Sequence, residues 1–360
     1  MGLHRWMIVV AMVAAVVPAR AESVGEIFRR VADSVVVIRT SEREAPDRPG
    51  AVATEEAGLG SGVLIDKDRV LTAAHVVQVA DTISVQLASG ETLSARVVAS
   101  EPSADLALIQ LERAPMKASI ATLGDSDTVQ VGDEVLVVGA PLGMSYTLSV
   151  GHISGRRTAR KVYGGLSASE LLQTDASINP GNSGGPMFDM AGNVVGIVSH
   201  IIFGEAGAGG LGFVATSNMA KELLLSGKTR WSGMEGYMLE GDLARIFQLP
   251  QERGLLVQRI AQGSPAAKIG LQPGNRKATI GGEEFLVGGD VILEVQGISF
   301  AEPSAHAKIG EVLSTLAPGA PISVVVLRGG RKLDLEWTPP SPQSSTPQVK
   351  PAPREAPRKR

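Results

Sequence analysis

Apolar residues recur along this chain at two spacings, and the change from one to the other divides it. Val24, Ile27, Phe28 and Val31 lie at helical spacing and predict a short helix over residues 22–32, leading into the strand Ser34-Val35-Val36-Val37-Ile38. Residues 42–58 are polar and rich in Pro and Gly, which predicts a long loop between the first two strands. From 60 to 215 short β-type runs recur between turn signals, among them 62–65, 82–87, 132–139, 193–199 and 212–215. That rhythm is the one expected of a pair of β-barrels. Residues 155–170, with Arg156, Arg157, Arg160 and Lys161, read as a second long loop. Helical spacing returns at Met219, Ala220, Leu223 and Leu224, and Gly227 ends that helix. A smaller mixed region follows, with a helix and turn at 263–271, strands at 289–293 and 322–327, and a helix over 304–316. Within it, residues 275–288 predict a hairpin turning at Gly281-Gly282. From Pro339 to Arg360 repeated Pro and Ser predict a segment too polar to bury a core.

Among these elements the segment Gln173-Thr174-Asp175-Ala176-Ser177-Ile178-Asn179-Pro180-Gly181-Asn182-Ser183-Gly184-Gly185-Pro186 exposes one serine on a glycine-flanked turn. A glycine two residues before the serine lets the amides of Gly181 and Ser183 converge on one point. Such donors form an oxyanion hole and stabilise the charge on an attacked carbonyl by about 3–4 kcal/mol each. A serine hydroxyl needs a histidine to take its proton and a carboxylate to orient that histidine. Thr72-Ala73-Ala74-His75-Val76-Val77 supplies a histidine with small neighbours, and Asp105 opens the apolar run Asp105-Leu106-Ala107-Leu108-Ile109-Gln110-Leu111. The order His75, Asp105, Ser183 is the one used by the two-barrel chymotrypsin-like fold. His4, His152, His200 and His306 lack comparable settings; Asp81 follows the histidine too closely, and Asp175 reads as a turn residue or a backbone partner near the nucleophile loop.

These motifs resemble the HtrA/Deg serine proteases, a secreted quality-control family that joins a chymotrypsin-like protease domain to PDZ domains, and the resemblance spans nearly the whole mature chain. It implies a mainly β fold: two six-stranded chymotrypsin-like β-barrels followed by an α+β PDZ domain. The corresponding divisions are a signal peptide at 1–21, the protease domain at 22–227, the PDZ domain at 228–338 and a tail at 339–360. By resemblance His75, Asp105 and Ser183 are base, orienter and nucleophile, with Gly181, Asn182 and Ser183 forming the oxyanion loop. Ile178 and the strand Gly212, Phe213, Val214 and Ala215 would line the S1 pocket. The trypsin-type pattern places a carboxylate six residues before the nucleophile; here that residue is Ser177, so cleavage after small aliphatic residues rather than Lys or Arg is expected.

The PDZ resemblance makes Trp231, Ser232, Gly233 and Met234 the carboxylate-binding loop. Its ligand, a peptide C-terminus, would join the domain as an added strand. Ser232 stands where a bulky apolar residue is usual, which would weaken the pocket for the peptide's last side chain. Ile309 and Val312 are either groove wall or core. The family further implies a homotrimer, with Phe28 either at its contacts or packed on its own barrel; a regulatory loop at 42–58; and a sensor of PDZ ligands at 155–170, which reads equally as a solvated basic loop.

Composition narrows the setting. The chain has no cysteine, so its stability owes nothing to disulfides, and no cofactor or metal motif is present. A charged start, an apolar stretch from Trp6 to Val17 and Ala19-Arg20-Ala21 read as a cleavable signal peptide, giving a periplasmic or secreted location. The net charge of −3 hides an asymmetry: without the leader and the basic tail the body carries 27 basic against 36 acidic residues, which disfavours nucleic acid as a partner. The tail ending Arg358-Lys359-Arg360 either contacts anionic envelope surfaces peripherally or serves solubility. The resulting expectation is an ATP-independent serine endopeptidase acting on unfolded or damaged envelope proteins. Its rivals are a chaperone or PDZ adaptor with a latent protease domain, and a protease that processes one C-terminal signal.

Overall fold

The computed structural model describes residues 22–44, 54–140, 146–159, 169–202, 211–227 and 229–340. The predicted leader, the tail beyond 340 and the stretches 45–53 and 160–168 of the two predicted loops lie outside them.

Helix α1 (Val24–Val31) opens the described chain, started by a capping box in which Ser23 and Glu26 each bond the other's backbone N–H. The first barrel contains β1 (Val35–Glu44), β2 (Thr54–Asp66), β3 (Arg69–Thr72), β4 (Thr82–Gln86), β5 (Thr92–Glu101) and β6 (Leu106–Leu111), with the short helix α2 (Ala74–Val77) after β3. Its strands pair in the order β1-β2-β3-β6-β5-β4 and close. The second holds β7 (Glu134–Gly139), β8 (Thr147–Ala159), β9 (Ser169–Thr174), β10 (Pro186–Phe188), β11 (Val194–Ile202) and β12 (Leu211–Thr216). Around this barrel the path is β7-β8-β9-β12-β11-β10, so it repeats the first strand for strand. One consequence positions the site: the β3–β4 connection, which carries His75, is the counterpart of the β9–β10 connection, which carries Ser183.

The interior of the first barrel is filled by Val36, Ile38, Leu64, Val85 and Ile109 among others, and that of the second by Val135, Val137, Leu172 and Val198. A third cluster lies between them, where Val35, Leu106, Leu136 and Phe188 meet Ile27 of α1 and Leu224. Each such side chain contributes about 1.5–3 kcal/mol by leaving water, which is how aliphatic packing holds a chain with few aromatics. The closing helix is α over α3 (Ser217–Ala220), then widens to a π-turn over Lys221–Leu225 before Gly227 at φ 75°.

Two predicted loops are shorter than the composition suggested. β1 and β2 stay paired out to Glu44 and Thr54, so residues at both ends of 42–58 are strand. Likewise β8 and β9 pair from Ile153 to Ala159, and Arg156 lies against Glu170 while donating to the Ser126 carbonyl at 2.6 Å. The physical reason is common to both: a two-stranded ribbon needs backbone partners, not apolar side chains, so polar composition does not distinguish it from a loop.

The C-terminal region is a sheet ordered β13 (Met234–Glu240), β14 (Arg253–Ile260), β17 (Val291–Val295), β19 (Ile322–Arg328) and β20 (Arg331–Trp337), with β18 (Ile298–Ser299) beside β17. The predicted hairpin is present as β15 (Arg276–Ile280) and β16 (Glu283–Val287), turning through Gly281 and Gly282 at φ 65° and 89°. It covers one face of the sheet, where Phe285 meets Tyr237 edge-on at 4.8 Å. The other face packs on α5 (Pro265–Lys268) and α6 (Ala305–Thr315), the latter through Ile309. Helix α4 (Asp242–Ile246) follows β13, whose outer edge ends the sheet.

Candidate active site

His75 is the second residue of α2, preceded by the fully buried pair Ala73 and Ala74. A larger side chain at either alanine would have to enter the barrel core. The imidazole itself is 49% exposed. Asp105 follows the turn Pro102–Ala104 in the left-handed region, at φ 52° and ψ 44°, a conformation that short polar residues adopt more readily than others. The twist aims its carboxylate back at α2.

That carboxylate accepts from the His75 backbone N–H at 3.0 Å, from His75 Nδ1 at 2.9 and 3.0 Å to its two oxygens, and from Ser199 Oγ at 2.5 Å. A carboxylate cannot donate, so the Nδ1 position carries hydrogen and Nε2 keeps its lone pair. Burial alone would lower the His75 pKa, but the hydrogen bond and charge of Asp105 outweigh it and hold the imidazole above its ordinary 6.5. At Asp105 burial opposes ionisation, yet His75 and the Ser199 hydroxyl keep the carboxyl below its ordinary 3.8.

Ser183 lies on the second barrel, in the β9–β10 connection. Its Oγ is directed to the Ser199 carbonyl at 3.4 Å, and among the described residues it makes no hydrogen bond to His75. Gly181 is at φ 101°, and the amides of Gly181 and Ser183 have no carbonyl acceptor among the described residues. The Asn182 N–H instead closes a turn onto the Asn179 carbonyl at 2.9 Å. Of the residues expected to line S1, Ile178 packs on the second barrel beside Gly212, where any Cβ would come within 2.5 Å of Ile178 Cδ1. Phe213, Val214 and Ala215 are buried along β12.

Two participants were not anticipated from sequence. Ser199, on β11, touches both halves of the arrangement through its hydroxyl and its carbonyl. His200, set aside as a candidate base, donates from Nδ1 to Ser199 Oγ at 2.9 Å, because the only proton of that hydroxyl goes to Asp105. Its ring stacks on Phe213 at 5.2 Å. Burial lowers its pKa, Asp105 raises it and His75 lowers it. No single-residue signal marks either position in a strand of alternating apolar residues. Asp175 accepts from the His152 amide, as a backbone partner should, and Asp81 accepts from the Gln262 amide at 2.6 Å.

The 231–234 loop lies against the same helix as His75. Trp231 Nε1 donates to the Gln78 carbonyl at 2.9 Å, and Gln78 Nε2 donates to the Met234 carbonyl at 2.8 Å and to Ser232 Oγ at 3.3 Å. Gln78 caps α2, is only 6% exposed and accepts from Ser100 Oγ at 2.6 Å. Only glycine fits at 233, where φ is 70° and a Cβ would fall 2.2 Å from Ser264 Cβ. Ile309 belongs to the core and Val312 is half-buried.

Among the described residues no cluster of His, Asp or Glu is placed to hold a metal ion. Residues 60–197 match the family described as "Trypsin-like peptidase domain", and 234–338 match "PDZ domain". Among curated proteins the chain is similar to the "Periplasmic pH-dependent serine endoprotease DegQ" of Escherichia coli (strain K12), 33% identical over 311 residues, covering 84% of this chain and 63% of that protein. It is also 36% identical over 274 residues to a "Probable periplasmic serine endoprotease DegP-like" of Pseudomonas putida (strain GB-1), covering 72% of this chain and 56% of the relative. The chain thus spans about 60% of the length of the curated relatives it matches. Among solved structures, "HtrA-type protease AlgW with tripeptide" is 31% identical with a TM-score of 0.50, and the alignment covers 88% of this chain and 96% of that one. The paired barrels, the PDZ-type sheet and these relatives lead to one conclusion: the chain belongs to the HtrA/Deg family of trypsin-like serine proteases with a PDZ domain.

Proposed function

We propose that this protein is a periplasmic, ATP-independent serine endopeptidase that degrades unfolded or damaged envelope proteins and recognises peptide C-termini through its PDZ domain. The observation that carries the reading is the Asp105 carboxylate accepting both the backbone and the Nδ1 hydrogens of His75, which leaves Nε2 as the base. In this reading Nε2 takes the proton of Ser183 as Oγ attacks the scissile carbonyl, and Asp105 stabilises the imidazolium that forms. The Gly181 and Ser183 amides, free of acceptors among the described residues, receive the oxyanion. His75 then returns the proton to the leaving amine, and water repeats the sequence to release the acyl group. The close packing of Ile178 on Gly212 supports small aliphatic residues at the cleaved position.

A second reading, a chaperone or adaptor whose protease is latent, is favoured by one observation: the Ser183 hydroxyl points to the Ser199 carbonyl. The β13 edge and the loop against Gln78 would then carry the function alone. Degradation of β-casein by protein lacking residues 1–21, beside Ser183→Ala, separates the two. Serine-dependent cleavage, with small aliphatic residues preceding the cut sites, is expected. Absence of cleavage by folded protein, with and without peptides ending in apolar residues, would favour the latent reading.

The pH dependence has a definite sign. His75 accepts a proton only when neutral, and its pKa is raised above 6.5, so kcat/KM should rise with pH through a midpoint above 6.5 and be lost as pH falls through it. A pH series with a fluorogenic peptide checks this; a midpoint at or below 6.5 would contradict the Asp105 coupling.

A further inference from the structure

The oxyanion loop has flexibility that its own sequence does not remove. Gly181 sits at φ 101° and has no side chain to limit rotation of the peptide groups on either side; within the loop the Asn182 carbonyl accepts from the Gly185 N–H at 2.8 Å, but among the described residues no group of the loop itself bonds the Gly181 carbonyl. Of the three successive peptides from Pro180 to Ser183, the middle one, Gly181–Asn182, is tied at both ends. Its N–H reaches the Asn179 carbonyl at 2.9 Å, and its carbonyl accepts from Ser61 Oγ at 2.7 Å. The flanking peptides carry the two amides proposed to bind the oxyanion.

Ser61 belongs to β2 of the other barrel and is 0% exposed. Its hydroxyl donates to Gly181 and accepts from the Ala140 amide at 2.9 Å; neither partner can exchange roles, so the direction is unambiguous. Its backbone N–H donates to the Ser183 carbonyl at 2.8 Å, and its own carbonyl accepts from Thr72 Oγ1 at 2.7 Å, three residues before His75. One residue therefore holds the oxyanion loop, the nucleophile's carbonyl, the end of β7 and the segment leading to the base. Glycines flank it for a steric reason: a Cβ at 60 would meet Val76 at 2.7 Å and the Ser183 carbonyl at 3.1 Å, and one at 62 would meet Val70 at 2.6 Å. They let β2 approach the nucleophile loop closely enough for a short hydroxyl to reach it.

We infer that Ser61 is the positioning residue of the oxyanion hole: its hydroxyl locks the Gly181–Asn182 peptide so that the Gly181 and Ser183 amides face one point. The inference rests on the protease reading for its effect on rate, but not for its effect on geometry. Without the hydroxyl, the Gly181 carbonyl and the Ala140 amide both lose a buried partner, and rotation about Gly181 becomes the easy way to recover one. The buried Asn182 Oδ1, which has no hydrogen-bond partner among the described residues, lies close by, 2.7 Å from where a Cβ on Gly139 would be.

The test compares Ser61→Ala with wild type, both lacking residues 1–21, by peptide kinetics, thermal melting and a crystal structure. A fall in kcat of about ten- to a hundredfold with KM within about threefold, together with a displaced Gly181 carbonyl, is expected; loss of a direct oxyanion donor costs more, about 10²–10³. A kcat within about threefold of wild type, or a Gly181 carbonyl still in place, would overturn the inference. Should Ser61→Ala not fold, Ser61→Cys, a poorer donor of similar shape, replaces it with the same two expectations. If wild type proves inactive, the protease reading fails separately, and the position of the Gly181 carbonyl alone decides this one.

Discussion

Asp105→Asn is expected to lower kcat/KM by about four orders of magnitude while the protein still folds. Asparagine is the informative replacement because it tolerates the left-handed conformation that this position requires, φ 52° and ψ 44°, so the backbone turn into β6 survives. The side chain does not. Asp105 accepts three donors, the His75 backbone N–H, His75 Nδ1–H and Ser199 Oγ–H, and an amide can offer only one oxygen to them. Its NH2 group must then face either Ser199, whose hydroxyl can turn, or His75 Nδ1. In the second arrangement the imidazole moves its hydrogen to Nε2, the atom proposed to take the proton of Ser183, and the base is lost. Loss of the carboxylate charge also removes what raises the His75 pKa, so the acidic limb of the remaining activity should move to lower pH. A loss of less than about tenfold, with the limb unmoved, would mean that α2 and the buried Ala73 and Ala74 orient the imidazole without the carboxylate.

What could be read in advance followed from residues whose neighbours constrain their placement. His75 stands among small residues because Ala73 and Ala74 fill the barrel wall while its imidazole stays half exposed, and Gly181 and Gly184 flank Ser183 because both adopt positive φ. The alternating runs of 62–65 and 193–199 became barrel strands, and Gly281-Gly282 turned the inserted hairpin, since period and turn chemistry are local properties. The residues that escaped notice act over long sequence separations. Ser61, Ser199 and Gln78 reach Gly181, Asp105 and Met234, and nothing within ten residues of any of them announces the partner. Ser61 had a faint signal in its flanking glycines. His200 had none, because its setting is made by Phe213 on the next strand and by Ser199's second hydrogen bond. The extended ladders at 41–44 and 54–57 were hidden for a different reason, polar ribbons having no apolar face to show.

Gly184→Ala should be among the most damaging single-methyl changes in the protease domain. At φ 81° the alanine is strained, at about 1–3 kcal/mol, and its Cβ would lie 2.1 Å from Thr72 Oγ1, 2.3 Å from the Ser61 carbonyl and 2.9 Å from the Ala73 amide. Two of those three are backbone atoms, and Thr72 and Ser61 are fully buried, so no flexible side-chain end can move aside. The loop is also fastened from behind, the Gly184 N–H donating to the Val198 carbonyl at 2.8 Å, which prevents it from lifting away. Destabilisation of about 3 kcal/mol or more is expected, a fall in melting temperature of about 6–12 °C for a domain of this size. Gly90→Ala isolates the conformational part, since Gly90 is at φ 83° with nothing within 4 Å of the added methyl, and it should lower the melting temperature much less. The difference between the two variants measures how tightly the Ser183 loop is pressed against the Thr72-Ala73 segment that leads to His75. Because that segment and Ser183 would be pushed apart, activity should fall further than the loss of folded protein explains. Equal melting temperatures for the two variants would mean that the barrels part easily at this contact, and that the spacing of Ser183 and His75 is set elsewhere.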